Sequence, residues 1–246
     1  MYNDFALVYD ALNGDADYDK LFESIHNKLV AHGIKDGALL DAGCGTGELT
    51  LRLAKAGYDM TGVDISPEML SILDSKAREE GISIRLLNVD LAKLRLYGRV
   101  KGAVCTFDTL NHLTPASFEN AVKRISNALE AGGVFVFDMN TPYKHTHVLA
   151  DYAFEIDGDG VKCIWENAYN KKLARTRLAI TLEYDDGTYA FERFFEYAYT
   201  RRHIENICKK YSLTVESVID GETFGELRKN SRRYCFTAVK NEEIDV

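Results

Sequence analysis

Cysteine is sparse and unpaired in this 246-residue chain: Cys44, Cys105, Cys163, Cys208 and Cys235 are odd in number and form no C-x-x-C pair. That excludes a disulfide framework and the common zinc motifs, and reduced, buried thiols are expected instead. No apolar run approaches the roughly 20 residues needed to cross a bilayer. The start, Met1-Tyr2-Asn3-Asp4, lacks the basic-then-apolar character of a secretory leader. The expectation is a cytoplasmic protein without a membrane partner. Basic charge is also short, with 30 Lys and Arg against 38 Asp and Glu and a formal net charge of −8. Binding to nucleic acid rests on neutralising phosphates, so a nucleic-acid partner is disfavoured. What is present is ordinary for a soluble globular chain, 46% hydrophobic and 28% charged. The length suits one substantial domain, or one domain carrying an insertion.

Strand and helix signals alternate up to about residue 140. Ala38–Leu40 is an apolar run ending in Asp41, and Leu49, Leu51, Leu53 and Ala54 then follow in a helical stretch that Gly57 can end. Met60–Val63, Ile82–Val89, Ala103–Phe107 and Val134–Phe137 read as further strands. Ser66-Pro67 and Thr114-Pro115 have the N-cap and first-turn chemistry of helix starts, and Gly81 and Gly132-Gly133 that of helix ends. Such alternation predicts a parallel sheet covered on both faces. Beyond residue 150 the pattern changes. Tyr152–Ile156, Val161–Ala168, Arg177–Tyr184 and Thr188–Tyr199 are rich in aromatic and β-branched residues, with turn signals between them, and predict an antiparallel meander. A helix over Arg202–Tyr211 and strands over Leu213–Ile219 and Tyr234–Val239 complete the expectation.

The segment with most chemical content is Asp41-Ala42-Gly43-Cys44-Gly45-Thr46-Gly47, between a strand and a helix. Glycine serves where the backbone turns with positive φ or a ligand approaches the main chain closely. Ligands of open α/β sheets bind at this carboxyl edge. The spacing is G-x-G-x-G, whereas the dinucleotide fingerprint is G-x-G-x-x-G. Its last position is Glu48 here, a carboxylate where a pyrophosphate would need the helix N-terminus, so a cofactor without phosphate fits better. Asp64 ends the second strand, at the separation expected for an acid that holds both ribose hydroxyls. Asp90, in Asn88-Val89-Asp90-Leu91, ends the third; it is placed to accept from an adenine amino group, with Ile65 and Leu91 sandwiching the ring.

These runs resemble the motifs of class I S-adenosylmethionine-dependent methyltransferases of the small-molecule type. Asp41–Gly47 is similar to their first motif, Val63–Leu70 to the second, Asn88-Val89-Asp90 to the third, Cys105–Leu113 to the fourth-strand region and Val134–Asn140 to the fifth strand. The resemblance covers roughly residues 35–142, and the last helix and two strands fit the family's tail. It implies an α/β, Rossmann-like, doubly wound sheet of seven strands whose last runs antiparallel. The antiparallel insertion follows strand five. The domain reading is a cofactor-binding core over 1–145 and 201–246 with an N-terminal lid, and a meander over 146–200 above the cleft. The implied cofactor is S-adenosylmethionine, released as S-adenosylhomocysteine. Its candidate contacts are Tyr9 from the lid, Asp41, Gly43, Cys44, Gly45, Gly47, Asp64, Ile65, Met69, Asn88, Asp90, Leu91, Phe107 and Asp108.

The implied reaction is in-line methyl transfer to an N or O nucleophile of a small molecule, in which positioning supplies most of the catalysis. An amine acceptor must lose a proton first, and His112 is the candidate general base. Tyr2, Asn111, Trp165 and Tyr197 are candidate acceptor contacts. Asp108, Asp138 and Asn140 stand after strands four and five, where metal-dependent catechol-type relatives place Mg²⁺ ligands. In those enzymes the second Asp and the Asn are adjacent, whereas Met139 intervenes here; adjacent strand residues point to opposite faces, so this departure changes how the two side chains stand to one another, and no metal is expected. The Asn/Asp-Pro-Pro-Tyr/Phe run of base-amino methyltransferases is absent after strand four, where Phe107-Asp108-Thr109-Leu110 stands. The alternatives carried forward are a tRNA or protein acceptor, and a protein that binds the cofactor without turnover. A monomer and a homodimer fit equally.

Overall fold

The structure, a computed structural model, describes residues 16–158 and 160–242. Within them the first helix, α1 (Tyr18–Ala31), is capped by Asp17, whose carboxylate accepts from the Lys20 amide. Strand β1 (Gly37–Ala42) leads into α2 (Glu48–Lys55), β2 (Tyr58–Asp64) into α3 (Pro67–Glu79), and β3 (Arg85–Asn88) into β4 (Val100–Cys105). Helix α4 (Pro115–Ala128) and strand β5 (Leu129–Asn140) follow. Ser66 and Thr114 cap α3 and α4 through their hydroxyls, each with proline at the first helical position, as their local chemistry predicts.

The core sheet has seven strands in the order β10-β11-β5-β4-β1-β2-β3. Strands β1 to β5 run parallel to one another. The last strand, β11 (Arg233–Lys240), runs antiparallel to both β5 and β10 (Leu213–Asp220). Helix α6 (Arg201–Lys210) precedes this closing pair. The pleat splits β5 between two cores. Phe135 and Phe137 pack with Phe118, Val122 and Ile125 of α4 on one face, while Val134 and Val136 pack with Leu21, Ile25 and Leu29 of α1 on the other. Covering on both faces explains why these strands are continuously apolar instead of alternating.

Two of the boundaries that differ from the sequence expectation have a plain physical cause. Strand β3 starts at Arg85, three residues late, because the Ile82 amide donates to Ala77 O and closes the end of α3. Gly132 and Gly133 do not end α4, which stops at Ala128; they lie inside β5, in a bulge between the Val100–Leu129 and Gly102–Val134 pairs. A Cβ on Gly133 would stand 2.9 Å from Glu130 O and 3.0 Å from Lys101 O.

The short helix α5 (Pro142–His147) carries the chain from β5 into a second sheet, β6 (Ala153–Gly158), β7 (Val161–Asn170), β8 (Arg175–Tyr184) and β9 (Tyr189–Tyr197), antiparallel throughout. Val161, Cys163, Leu178, Ile180, Leu182 and Phe194 form its own apolar core. Four polar contacts fasten it above the carboxyl ends of β4 and β5. Asn111 Nδ2 donates to Tyr197 O (2.9 Å), Asn140 Nδ2 to Glu196 Oε2 (2.8 Å) and Tyr199 OH to Leu113 O (2.6 Å), and His145 Nδ1 pairs with Thr176 Oγ1 (2.8 Å). Among the described residues no helix is long and apolar enough to cross a membrane.

Candidate active site

A cavity of about 690 Å³ opens between the carboxyl edge of the core sheet and the antiparallel sheet. Its floor is the glycine loop. Gly43, Gly45 and Gly47 all have positive φ, but only Gly45 leaves room. A Cβ on Gly43 would lie 2.4 Å from Thr109 Cγ2 and one on Gly47 2.0 Å from Leu73 Cδ1, whereas one on Gly45 would meet nothing within 4 Å. The outer glycines permit packing against the protein, and the middle one leaves backbone bare toward the cavity. Glu48 begins α2, and its carboxylate is held by Lys76 and Arg52, each at 2.7 Å. Burial opposes its charge, but these two hydrogen bonds outweigh burial and keep the carboxyl below its usual range. An anionic group therefore stands where a phosphate would bind.

Asp64 is tied to this floor: Oδ2 accepts from the Gly45 amide (3.0 Å) and Oδ1 from the Ser66 amide (2.9 Å). A carboxylate has about four lone-pair sites, so each oxygen keeps capacity for a hydroxyl. Burial raises the Asp64 pKa against the lowering effect of those amides. Behind it, Asp41 accepts from Thr50 Oγ1 at 2.6 Å, and burial pushes its pKa up to about 7. Ile65, 55% exposed, and the buried Leu91 present apolar surface to the same cavity, with Met69 and Asp90 beside them. Asp90 Oδ1 accepts from the Ala92 amide. A bare backbone stretch, a carboxylate with lone pairs to spare and an apolar slot beside an anionic helix start fit the shape and chemistry of S-adenosylmethionine.

At the other end Phe107 and Asp108 both have left-handed backbone, φ +53° and +58°. Consecutive non-glycine residues there are held only by strong local restraint. Asp138 supplies it: Oδ2 accepts from the Phe107 amide (2.9 Å) and Oδ1 from the Asp108 amide (2.8 Å), while Arg233 closes on Oδ1 at 2.8 Å. Asn140 Nδ2 bridges Asp108 Oδ2 (2.6 Å) and Glu196 Oε2 (2.8 Å), and its Oδ1 accepts from Lys144 Nζ (2.9 Å). Burial works against the Asp108 charge, but Arg233 and Lys144 outweigh it and hold the carboxyl below its usual range. Burial and then the negative charge of Asp108 raise Glu196; burial and then Arg233 lower Lys144. His112 lines the same space, its ring edge-on to Phe194 at 5.2 Å.

The structure brings together Asp41, Gly43, Cys44, Gly45, Gly47, Asp64, Ile65, Met69, Asp90, Leu91, Phe107, Asp108, His112 and Trp165 around one cavity. Three expected residues lie elsewhere. Asn88 does not line the cavity; its Nδ2 donates to Asp64 O and Ile65 O and braces the turn between them. Asn111 is fully buried, bonded to the backbone of Asn140 and Tyr197, because it seals the joint between the two sheets. Tyr197 packs into the main core against Tyr199, on the opposite side of β9 from Phe194 and Glu196. Tyr2 and Tyr9 lie outside the described residues. Sequence reasoning missed Tyr18, Lys144, Glu196 and Arg233, which also line the cavity. The one legible signal was at Glu196, an acid two residues from Phe194 and so on the apolar face of its strand.

Similarity to known proteins agrees with this geometry. The profile of the methyltransferase domain family matches residues 39–133. A putative methyltransferase of Geobacillus sp. (strain WCH70) is 34% identical over 194 residues, which cover 76% of this chain and 78% of that protein. A crystal structure of an S-adenosylmethionine-dependent methyltransferase from Clostridium acetobutylicum superimposes with a TM-score of 0.88 at 31% identity, over 98% of this chain and 99% of the other. The S-adenosylmethionine-bound amino pentose methyltransferase of Micromonospora echinaspora shares the fold, with a TM-score of 0.74 at 18% identity over 98% of each chain. Sequence motifs, sheet topology and these relatives together make the chain a member of the class I S-adenosylmethionine-dependent methyltransferases.

Proposed function

We propose that the chain methylates a small molecule at a nitrogen or oxygen nucleophile. The observation that carries this reading is the cavity itself. At about 690 Å³ it lies within the range of small-molecule sites, ~300–1,000 Å³, and its acceptor end is roofed by side chains of the antiparallel sheet. Tyr152, Phe154, Trp165 and Phe194 belong to that roof. A roof suits an acceptor that enters whole better than one presented on a polymer. The Micromonospora relative, named for an amino pentose, is consistent with a small acceptor.

When bound, S-adenosylmethionine supplies an electrophilic methyl on a positively charged sulfur. The residues of the chain position and protect. Asp64, Gly45 and the Ile65–Leu91 slot would hold the cofactor's nucleoside end, and the strained Phe107–Asp108 corner would border its methionine end. His112 faces the acceptor space as the proton acceptor. Holding the two reactants in line supplies much of the rate. Calorimetric titration with S-adenosylhomocysteine, with NAD alongside, tests the cofactor. A screen of small-molecule fractions for methyl incorporation tests the acceptor. Methylation confined to RNA or protein fractions overturns the small-molecule reading, and cofactor binding without methylation of any fraction favours a binding protein.

A further inference from the structure

We propose that the acceptor is a primary or secondary amine on a flat apolar body, and that Glu196 is the carboxylate that recognises its ammonium form. The inference rests on the methyltransferase reading above and deepens it.

Glu196 sits on β9, two residues from Phe194, so both side chains leave the strand on one face and both line the cavity. It is 4% exposed, and a charge so placed needs partners. Asn140 Nδ2 serves Oε2 at 2.8 Å; among the described residues nothing donates to Oε1. Across the strand pair, Thr176 faces Glu196 and accepts or donates to His145 Nδ1. The other nitrogen of that ring, Nε2, is buried, lacks a hydrogen-bond partner, and lies 4.0 Å from Glu196 Oε2. The carboxylate is thus oriented from behind and open in front.

The surrounding charges favour a cation. Asp108 is the second carboxylate, joined to Glu196 through the Asn140 bridge. Of the cations nearby, Arg233 lies on Asp138 at 2.8 Å and 3.7 Å from Asp108, and Lys144 lies on Asn140 Oδ1 at 2.9 Å. Three carboxylates, Asp108, Asp138 and Glu196, stand around these two cations, and Glu196, with no donor on Oε1 among the described residues, is the one left for an ammonium to pair with. The rest of the acceptor is read from the walls. Phe154 stacks on Trp165 at 5.6 Å and Phe194 meets Trp165 edge-on at 6.2 Å. The Trp165 Nε1 proton is spent on Asn167 Oδ1, so the indole offers the cavity its apolar face. Such walls take a flat hydrophobic body and add attraction for a cation.

In the transfer the ammonium first gives its proton to His112. The freed lone pair then forms the nitrogen–carbon bond as the carbon–sulfur bond of the sulfonium breaks, its electron pair staying on sulfur.

The test uses the full chain loaded with S-adenosylhomocysteine and two matched pairs, tryptamine with indole propionic acid and phenethylamine with phenylpropionic acid. Calorimetry is expected to show both amines binding in preference to their acids. Glu196→Gln should cut amine affinity roughly 10- to 100-fold while S-adenosylhomocysteine affinity stays unchanged. Preference for the acids would assign the end to Lys144 and overturn the proposal, as would binding of neither amine or an unchanged preference in the variant. If Glu196→Gln does not fold, the preference of the wild-type chain decides alone. Failure of S-adenosylhomocysteine itself to bind is a separate result, which removes the methyltransferase reading.

Discussion

The Gly45 amide donates to Asp64 Oδ2 at 3.0 Å, which joins the loop after the first core strand to the acid that ends the second. The acid proposed to hold the ribose is therefore also part of the scaffold of the loop. Asp64→Ala is expected to weaken S-adenosylhomocysteine binding by roughly 1.5–3 kcal/mol, through lost charged hydrogen bonds. Isothermal calorimetry measures it, and unchanged affinity would remove Asp64 from the cofactor site.

The two later glycines of the loop are expected to behave oppositely. Gly47→Ala puts a methyl 2.0 Å from Leu73 Cδ1 at φ +88°, so overpacking and strain should cost roughly 2–4 kcal/mol of stability. Gly45→Ala meets open space at φ +52°, so the fold should lose only about 1–2 kcal/mol. Its methyl projects from bare backbone, and cofactor affinity should fall instead. Denaturant melts and calorimetry on both variants separate the effects; equal stability losses with unchanged binding at Gly45 would contradict the assignment.

Asp138 restrains two left-handed residues and neutralises Arg233, whose side chain is 13% exposed. Removing it leaves that buried cation only the more distant Asp108, at 3.7 Å. Asp138→Ala should cost about 3–5 kcal/mol, and in a chain of this size lower Tm by roughly 10 °C or more. A thermal scan within a few degrees of wild type would mean that the Phe107–Asp108 corner holds itself.

Asp41 carries a pH signature. Burial raises its folded pKa to about 7, above its unfolded value. The native state then holds the proton more tightly, so this contribution to stability is full below the unfolded pKa and lost as pH rises toward and through 7. His145 works in the opposite sense: burial lowers its pKa to about 4, so its contribution is present above the unfolded value and lost as pH falls through 4. Asp41→Asn should flatten the decline in stability between the unfolded Asp pKa and neutrality and leave the acid-side loss in place. Urea midpoints across that range decide it, and an unaltered decline would show that Asp41 is not its source.

His112 faces the acceptor space as the candidate base. With an acceptor from the screen, His112→Ala should cut kcat by ~10²–10⁴-fold and leave S-adenosylhomocysteine affinity unchanged. An unchanged rate would return the ring to a packing role against Phe194.

The core was legible in the sequence because its signals are local. The caps Ser66 and Thr114, the glycine loop and the acids at successive strand ends each follow from short-range chemistry, and the parallel order follows from their alternation. Of the boundary errors, the one at Ile82 arose because a local cap, the Ile82 amide on Ala77 O, keeps that residue with the helix end, and the one at Gly132-Gly133 because tertiary pairing forms a bulge against β4. The acceptor end was mostly illegible. Glu196, Lys144 and Arg233 come from β9, α5 and β11 and meet only when the insertion folds back over the core. Asn111 and Tyr197 lay close to the expected site in sequence, yet one seals the joint and the other faces the core, because a strand sends neighbouring side chains to opposite sides. The chain's own pattern thus determined the sheet and its nucleoside edge, where each residue answers to its neighbours in sequence. The charge and shape of the acceptor end were decided by the tertiary structure, which brings groups far apart in sequence into one desolvated space.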